Sequence, residues 1–107
     1  MCGIAGVFTS DQRCRIDADI LAAMTSRLAH RGPDDEAYHV APGFGLGFRR
    51  LSIIDLEGGR QPFVSDDGRF VSACNGEIYN WREIRNDLEN RNCRFRTACD
   101  TEVVLHA

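Results

Sequence analysis

The sequence predicts an α+β domain, and three observations carry that reading. Short apolar or alternating runs recur along the chain as strand signals. Two segments carry the 3.6-residue apolar period of helices. Those helices are separated by strands, which suggests a sheet packed against helices.

The elements follow in order. GIAGVF, residues 3–8, reads as a short buried strand. DADILAAMTSRLAHRG reads as a helix that Asp17 or Asp19 can cap, with Ile20, Leu21, Met24 and Leu28 on one face and Gly32-Pro33 ending it. EAYHV and FGLGFRRLSIIDL read as strands, and EGGRQP as a turn. FVSDDGRFVSAC reads as a hairpin around Asp67-Gly68. NWREIRNDLEN is a second helix, with Asn80 and Glu83 spaced for a capping box and Trp81, Ile84 and Leu88 facing inward. DTEVVLHA opens a further helix, with acids in its first turn, and the chain stops there. A domain seldom ends in the first turns of an amphipathic helix, so residues 1–107 are expected to be the N-terminal piece of something longer.

Composition bounds the chemistry. The chain has 107 residues, 43% of them apolar and 27% charged, which suits one globular domain. A net charge of −3 offers no footprint for nucleic acid or an anionic membrane. All thirteen basic residues are arginine, which excludes a Schiff-base lysine or a P-loop lysine within this stretch. No segment has the length of a membrane span or the pattern of a signal peptide. Five cysteines, an odd number without metal-type spacing, fit reduced thiols and a cytoplasmic setting. Cys14, Cys74, Cys93 and Cys99 read as small packing residues, and no metal site is expected.

Four stretches admit chemistry beside a plain structural role. In MCGIAG, Cys2 is either an ordinary second residue or, once Met1 is removed, a residue carrying a thiol and a free α-amine together. Such an amine can take the thiol proton directly or through a water. In HRGPDDE, Gly32 reads as an αL helix cap followed by Pro33, while Arg31 and Asp34 invite a ligand only if one binds there. In FRRLSIIDLEGG, the adjacent Arg49 and Arg50 point to opposite faces of a strand. One can meet solvent while the other offers its planar fork to a carboxylate in a cavity. In CNGEIYN, Asn75-Gly76 is either a turn or a pair of donors, a side-chain amide beside a backbone N–H, suited to an oxyanion. Asp100 is either an N-cap or a carboxylate aimed at a ligand cation.

Taken together, MCGIAG, RGPD, RLSIIDL, NGEIYN and DTEV, in that order, resemble the class II glutamine amidotransferases over the whole chain. RLSIID with NGEIYN is most similar to the glutaminase domain of glutamine-hydrolysing asparagine synthetases. The resemblance implies an N-terminal-nucleophile hydrolase fold, an α/β/β/α sandwich of which residues 1–107 form an incomplete N-terminal portion. It implies L-glutamine as substrate, with glutamate and ammonia as products. Carried onto this chain, Cys2 is the nucleophile, and the Asn75 amide and Gly76 N–H form the oxyanion hole. Arg50 holds the glutamine α-carboxylate, while Glu77 and Asp100 neutralise the α-ammonium. Leu51, Ser52, Ile53 and Ile54 line the adjoining wall, and Arg31 is accessory. No cofactor is implied in this portion. A synthetase domain in the same chain would bind ATP and Mg2+ and pass the ammonia to aspartate, and a homodimer is an assembly the family permits. The alternatives are another ammonia acceptor, or a non-catalytic glutamine-sensing or assembly module of the same descent. The chain departs from the pattern at Phe48, where relatives often carry histidine, and at Cys99, where they often carry serine or histidine.

Overall fold

The computed structural model describes residues 1–51 and 58–107. The chain divides into two compact units, Met1–Leu51 and Ser52–Ala107. Both contain helix and strand, so the α+β class holds, with small sheets in each unit.

The first unit is a three-stranded antiparallel sheet with one helix against it. Strands β1 (Gly3–Phe8), β2 (Asp35–Ala41) and β3 (Phe44–Arg50) assemble in the order β1-β3-β2. The register pairs Gly3 with Arg49 on one side of β3 and Asp35 with Arg50 on the other. Helix α1 (Ala18–Ser26) begins at Asp17, whose carboxylate accepts the N–H groups of Asp19 and Ile20. That is the expected cap, which satisfies two donors the helix leaves open.

The buried face of α1 differs from the expected one. Leu21 is 1% exposed and Thr25 0%, whereas Ile20 is 57% and Met24 38% exposed. The reason lies in β1 and β3. A Cβ on Gly45 would meet Ile16 Cγ2 at 2.7 Å, one on Gly3 would meet Leu28 Cβ at 2.8 Å, and one on Gly47 would collide with Thr25 Oγ1. Three glycines thus form a shallow trough, and the stripe Leu21, Thr25, Leu28 is the one that enters it. Thr25 hides its hydroxyl by donating to Leu21 O at 2.8 Å. The helix is also shorter than expected, and 27–31 leave it as turns, with Leu28 N–H on Thr25 O and Arg31 N–H on Leu28 O.

β1 is a strand as expected but is not fully buried, since Ile4 is 41% and Phe8 78% exposed. They share the sheet face away from α1 with Phe48, which is 1% exposed. The strand expected over 44–56 reaches Arg50, and its stretch 52–56, with Ser52, Ile53 and Ile54, lies outside the described residues.

In the second unit, β4 (Phe63–Val64) pairs with β5 (Val71–Ser72) around a turn in which Gly68 has φ +70°. The Ser65 hydroxyl and the Arg69 N–H hold the Asp67 carboxyl below the usual carboxylate range. Helix α2 (Trp81–Asn90) buries Leu88 and half-buries Trp81 and Ile84, as the apolar period requires. Its expected capping box does not form, because the Asn80 side chain makes no cap bond. Backbone bonds from Glu83 N–H and Ile84 N–H to Asn80 O start the helix instead. Asn92, at φ 68°, turns the chain off α2 in the left-handed region, with Cys93 N–H on Leu88 O. A 3-10 turn (Asp100–Glu102) leads into α3 (Val103–His106). Asp100 is therefore the first residue of that turn and not its cap; Cys99 holds the cap position.

Candidate active site

In the first unit the site residues gather at the Arg50 end of β3. β1 enters the sheet opposite this end, and Gly3 pairs with Arg49, so Cys2 falls beside Leu51. The half-buried Cys2 Sγ lies 3.4 Å from the Leu51 N–H that donates to it and 3.8 Å from Leu51 O. A donor and an acceptor of one residue thus face the sulfur. Arg31 Nε donates to Cys2 O at 3.2 Å, so Arg31 braces the backbone of Cys2.

The RGPD segment is built onto the same strand end. The sequence predicts a left-handed Gly32, but its φ is ordinary. What it needs is proximity: a Cβ there would collide with the Arg49 carbonyl carbon and oxygen and with Arg50 N. Asp34 N–H donates to Arg50 O at 3.0 Å and Arg49 Nε to Gly32 O at 2.8 Å, which ties the segment along β3. Arg49 and Arg50 do face opposite ways. Arg49 is not a solvent arginine, however; its side chain is 13% exposed and bridges Gly32 O and Glu36 Oε2, the latter at 2.6 Å. Arg50 is 6% exposed, on the face away from α1.

In the second unit the NGEI stretch leaves β5 and enters α2 through a bend that is fastened at both ends. At its exit, Ile78 N–H donates to Asp100 Oδ2 at 2.7 Å, so Asp100 stands beside Glu77. Asp100 is 4% exposed, and Cys99 Sγ reaches its other oxygen at 3.7 Å. At its entry, the Gln61 carboxamide accepts Cys74 N–H at 2.6 Å and donates to Cys74 O at 3.3 Å. The same Gln61 Nε2 donates to Thr101 Oγ1 at 3.0 Å. Asn75, Gly76 and Glu77 between these fastenings are exposed. Gly76 is unlike the packing glycines: among the described residues a Cβ there would meet only Cys74 Sγ, at 3.9 Å, and its φ is not positive. Neither the backbone nor its described neighbours demand a glycine.

Sequence reasoning missed two polar groups here. Gln61, 6% exposed, sits in what reads as a mere turn. Glu102, 2% exposed, accepts the N–H groups of Arg96 and Thr97 and the Thr97 hydroxyl, and so organises the loop before Asp100. Ser52, Ile53 and Ile54 lie outside the described residues. Among the described residues, no group of three His, Cys, Asp or Glu side chains could hold a metal ion, and no helix is long and apolar enough to cross a membrane.

Comparison with known proteins places the chain. The family model described as "Glutamine amidotransferase domain" matches residues 1–107. "Asparagine synthetase [glutamine-hydrolyzing] 2" of Bacillus subtilis (strain 168) is 44% identical over 110 residues, covering 99% of this chain and 14% of that protein. "Asparagine synthetase [glutamine-hydrolyzing] 1" of the same organism is 43% identical over 112 residues, covering 98% of this chain and 17% of its own length. "Probable asparagine synthetase [glutamine-hydrolyzing]" of Schizosaccharomyces pombe (strain 972 / ATCC 24843) is 38% identical over 106 residues, covering 99% of this chain and 19% of that protein. The chain thus spans less than a fifth of the length of these relatives. With a match that runs from Met1 to Ala107, the chain belongs to the glutamine amidotransferase domain family.

Proposed function

We propose that this chain is the glutamine-hydrolysing part of an asparagine-synthetase-like amidotransferase, with Cys2 as its nucleophile. The observation that carries this is the half-buried Cys2 Sγ held against Leu51 at the end of β3, in a chain matched throughout by the family model.

In this reading Met1 is removed and the freed α-amine of Cys2 takes the thiol proton. The sulfur attacks the side-chain amide carbon of L-glutamine, a C–S bond forms, and the carbonyl π pair moves to oxygen. The Asn75 amide and Gly76 N–H receive that oxyanion. The unexplained smallness of Gly76 supports this, because a side chain there would obstruct a ligand and no part of the described protein. Collapse breaks the C–N bond, the α-ammonium returns its proton to the leaving nitrogen, and ammonia departs. Water then hydrolyses the thioester to glutamate. Arg50 pairs with the substrate α-carboxylate, and Glu77 with Asp100 pairs with its α-ammonium; the fastening of Ile78 by Asp100 keeps these two acids adjacent. Leu51 lines the site beside Cys2, and Arg31 steadies Cys2.

The relatives' names support asparagine synthesis, with aspartate as acceptor of the ammonia. The same reading expects a synthetase domain in the same cytoplasmic chain, one that would bind ATP and Mg2+. The sheet face bearing Ile4 and Phe8 at 41% and 78% exposure supports a second sheet layer covering it, as in an α/β/β/α sandwich. A homodimer belongs to the same reading.

Phe48 favours one second reading. It stands two residues from Arg50 on the same face, 1% exposed, at the position where the family resemblance leads one to expect histidine. A glutamine-sensing module would tolerate that loss of a polar group. Glutamine hydrolysis by the full-length protein separates the two, since a sensing module binds glutamine without turnover. The Cys2→Ala variant should lose that hydrolysis and keep ammonia-dependent synthesis; hydrolysis that survives in the variant removes Cys2 from the mechanism.

A further inference from the structure

The hairpin of β4 and β5 ends its backbone ladder at the pair Phe63–Ser72. Carried two residues further, that register would set Gln61 opposite Cys74. There the Gln61 side chain accepts Cys74 N–H at 2.6 Å and donates to Cys74 O at 3.3 Å. An antiparallel pair exchanges those two bonds between backbones. Here a carboxamide makes them, so the strand's hydrogen bonding continues to the residue that precedes Asn75. The third bond, Gln61 Nε2 to Thr101 Oγ1 at 3.0 Å, joins the same amide to the neighbour of Asp100. Burying a primary amide to 6% exposure is costly unless its groups are satisfied, and these bonds satisfy them.

We propose that Gln61 is the positioning residue of the Asn75-Gly76 turn, locking its entry through Cys74 and holding it in register with the segment that carries Asp100. The proposal rests on the reading of Asn75 and Gly76 as oxyanion donors. Gln61 touches no substrate in this role. It acts by fixing where the two donors point, and a donor displaced by about 1 Å loses most of its effect on the transition state.

The test uses the full-length protein and glutamine hydrolysis. Gln61→Met keeps length and volume and removes all three bonds. It should lower kcat about 10- to 100-fold, while the KM for glutamine changes less, since Arg50 is untouched and the bond from Ile78 N–H to Asp100 still keeps the two acids together. An unchanged kcat, or a loss confined to KM, overturns the proposal. Gln61→Glu supplies a readout that fold damage cannot imitate, and it decides the matter if the Met variant fails to fold. Ionised, the introduced carboxylate accepts Cys74 N–H but faces Cys74 O with no proton to donate; as a neutral acid it can make both bonds. The kcat of this variant relative to the natural protein should therefore rise as pH falls, and a ratio that stays flat with pH overturns the proposal. Cys2→Ala serves as the control. If Cys2→Ala is inactive and both Gln61 variants behave normally, only the role of Gln61 falls; if Cys2→Ala remains active, the underlying reading falls first.

Discussion

Among single residues, the contrast between glycines separates structure from chemistry. Gly47 is small because Thr25 lies on it, and Gly76 is small although its described surroundings leave ordinary room for a Cβ. Gly47→Ala should therefore destabilise the first unit by about 1–3 kcal/mol through overpacking. Gly76→Ala should leave the unfolding free energy within about 0.5 kcal/mol and lower turnover instead. Urea unfolding beside glutamine kinetics distinguishes the two; equal destabilisation would mean that Gly76 is a packing glycine as well. Asn75→Ala should cost about 10²–10³ in kcat, or about 3–4 kcal/mol of barrier, by loss of one oxyanion donor. Arg50→Ala should act mainly on the KM for glutamine. A normal kcat in the Asn75 variant would deny that residue its assigned part. The resemblance supplied the roles of both residues; the sequence by itself left each open, since an Asn-Gly pair is also a turn and an arginine pair is also a strand edge. Gln61 had no signal at all. Its bonds reach across 13 and 40 residues, and no local pattern encodes such partners.

For the elements, what could be read was periodic. Strand alternation located β1, β2 and β3, and Asp17 announced α1 because a cap is a local bond. What could not be read was which apolar stripe of α1 turns inward. Ile20 and Met24 are as apolar as Leu21 and Leu28, and the glycines of β1 and β3 decide between the two stripes from a distance. Gly32 shows the same limit, since a glycine after a helix serves either a left-handed turn or a close approach. Only the strand beside it shows which. The Asp17 cap offers a check on the helix. Asp17→Ala should cost about 1 kcal/mol of stability, read from a urea midpoint, with no change in glutamine turnover. A loss of turnover without a loss of stability would place α1 in the mechanism.

For the molecule as a whole, the α+β class was legible because helical and strand periods alternate unevenly along the chain. The proposed sandwich is a matter of how sheets stack, which no period records. Ile4 and Phe8 are exposed on the sheet face that the proposed further layer would cover. The relatives are more than five times longer than this match. The proposed nucleophile lies within residues 1–107, and the processing step that would free its amine acts on Met1, which is 72% exposed.

That step and the thiol can be weighed together. Intact-mass spectrometry of the full-length natural protein, before and after 6-diazo-5-oxo-norleucine, a glutamine analogue that alkylates such nucleophiles, reads both. The account predicts loss of Met1 and a single adduct that maps to Cys2. A retained Met1, or a processed chain that takes no adduct, would contradict it.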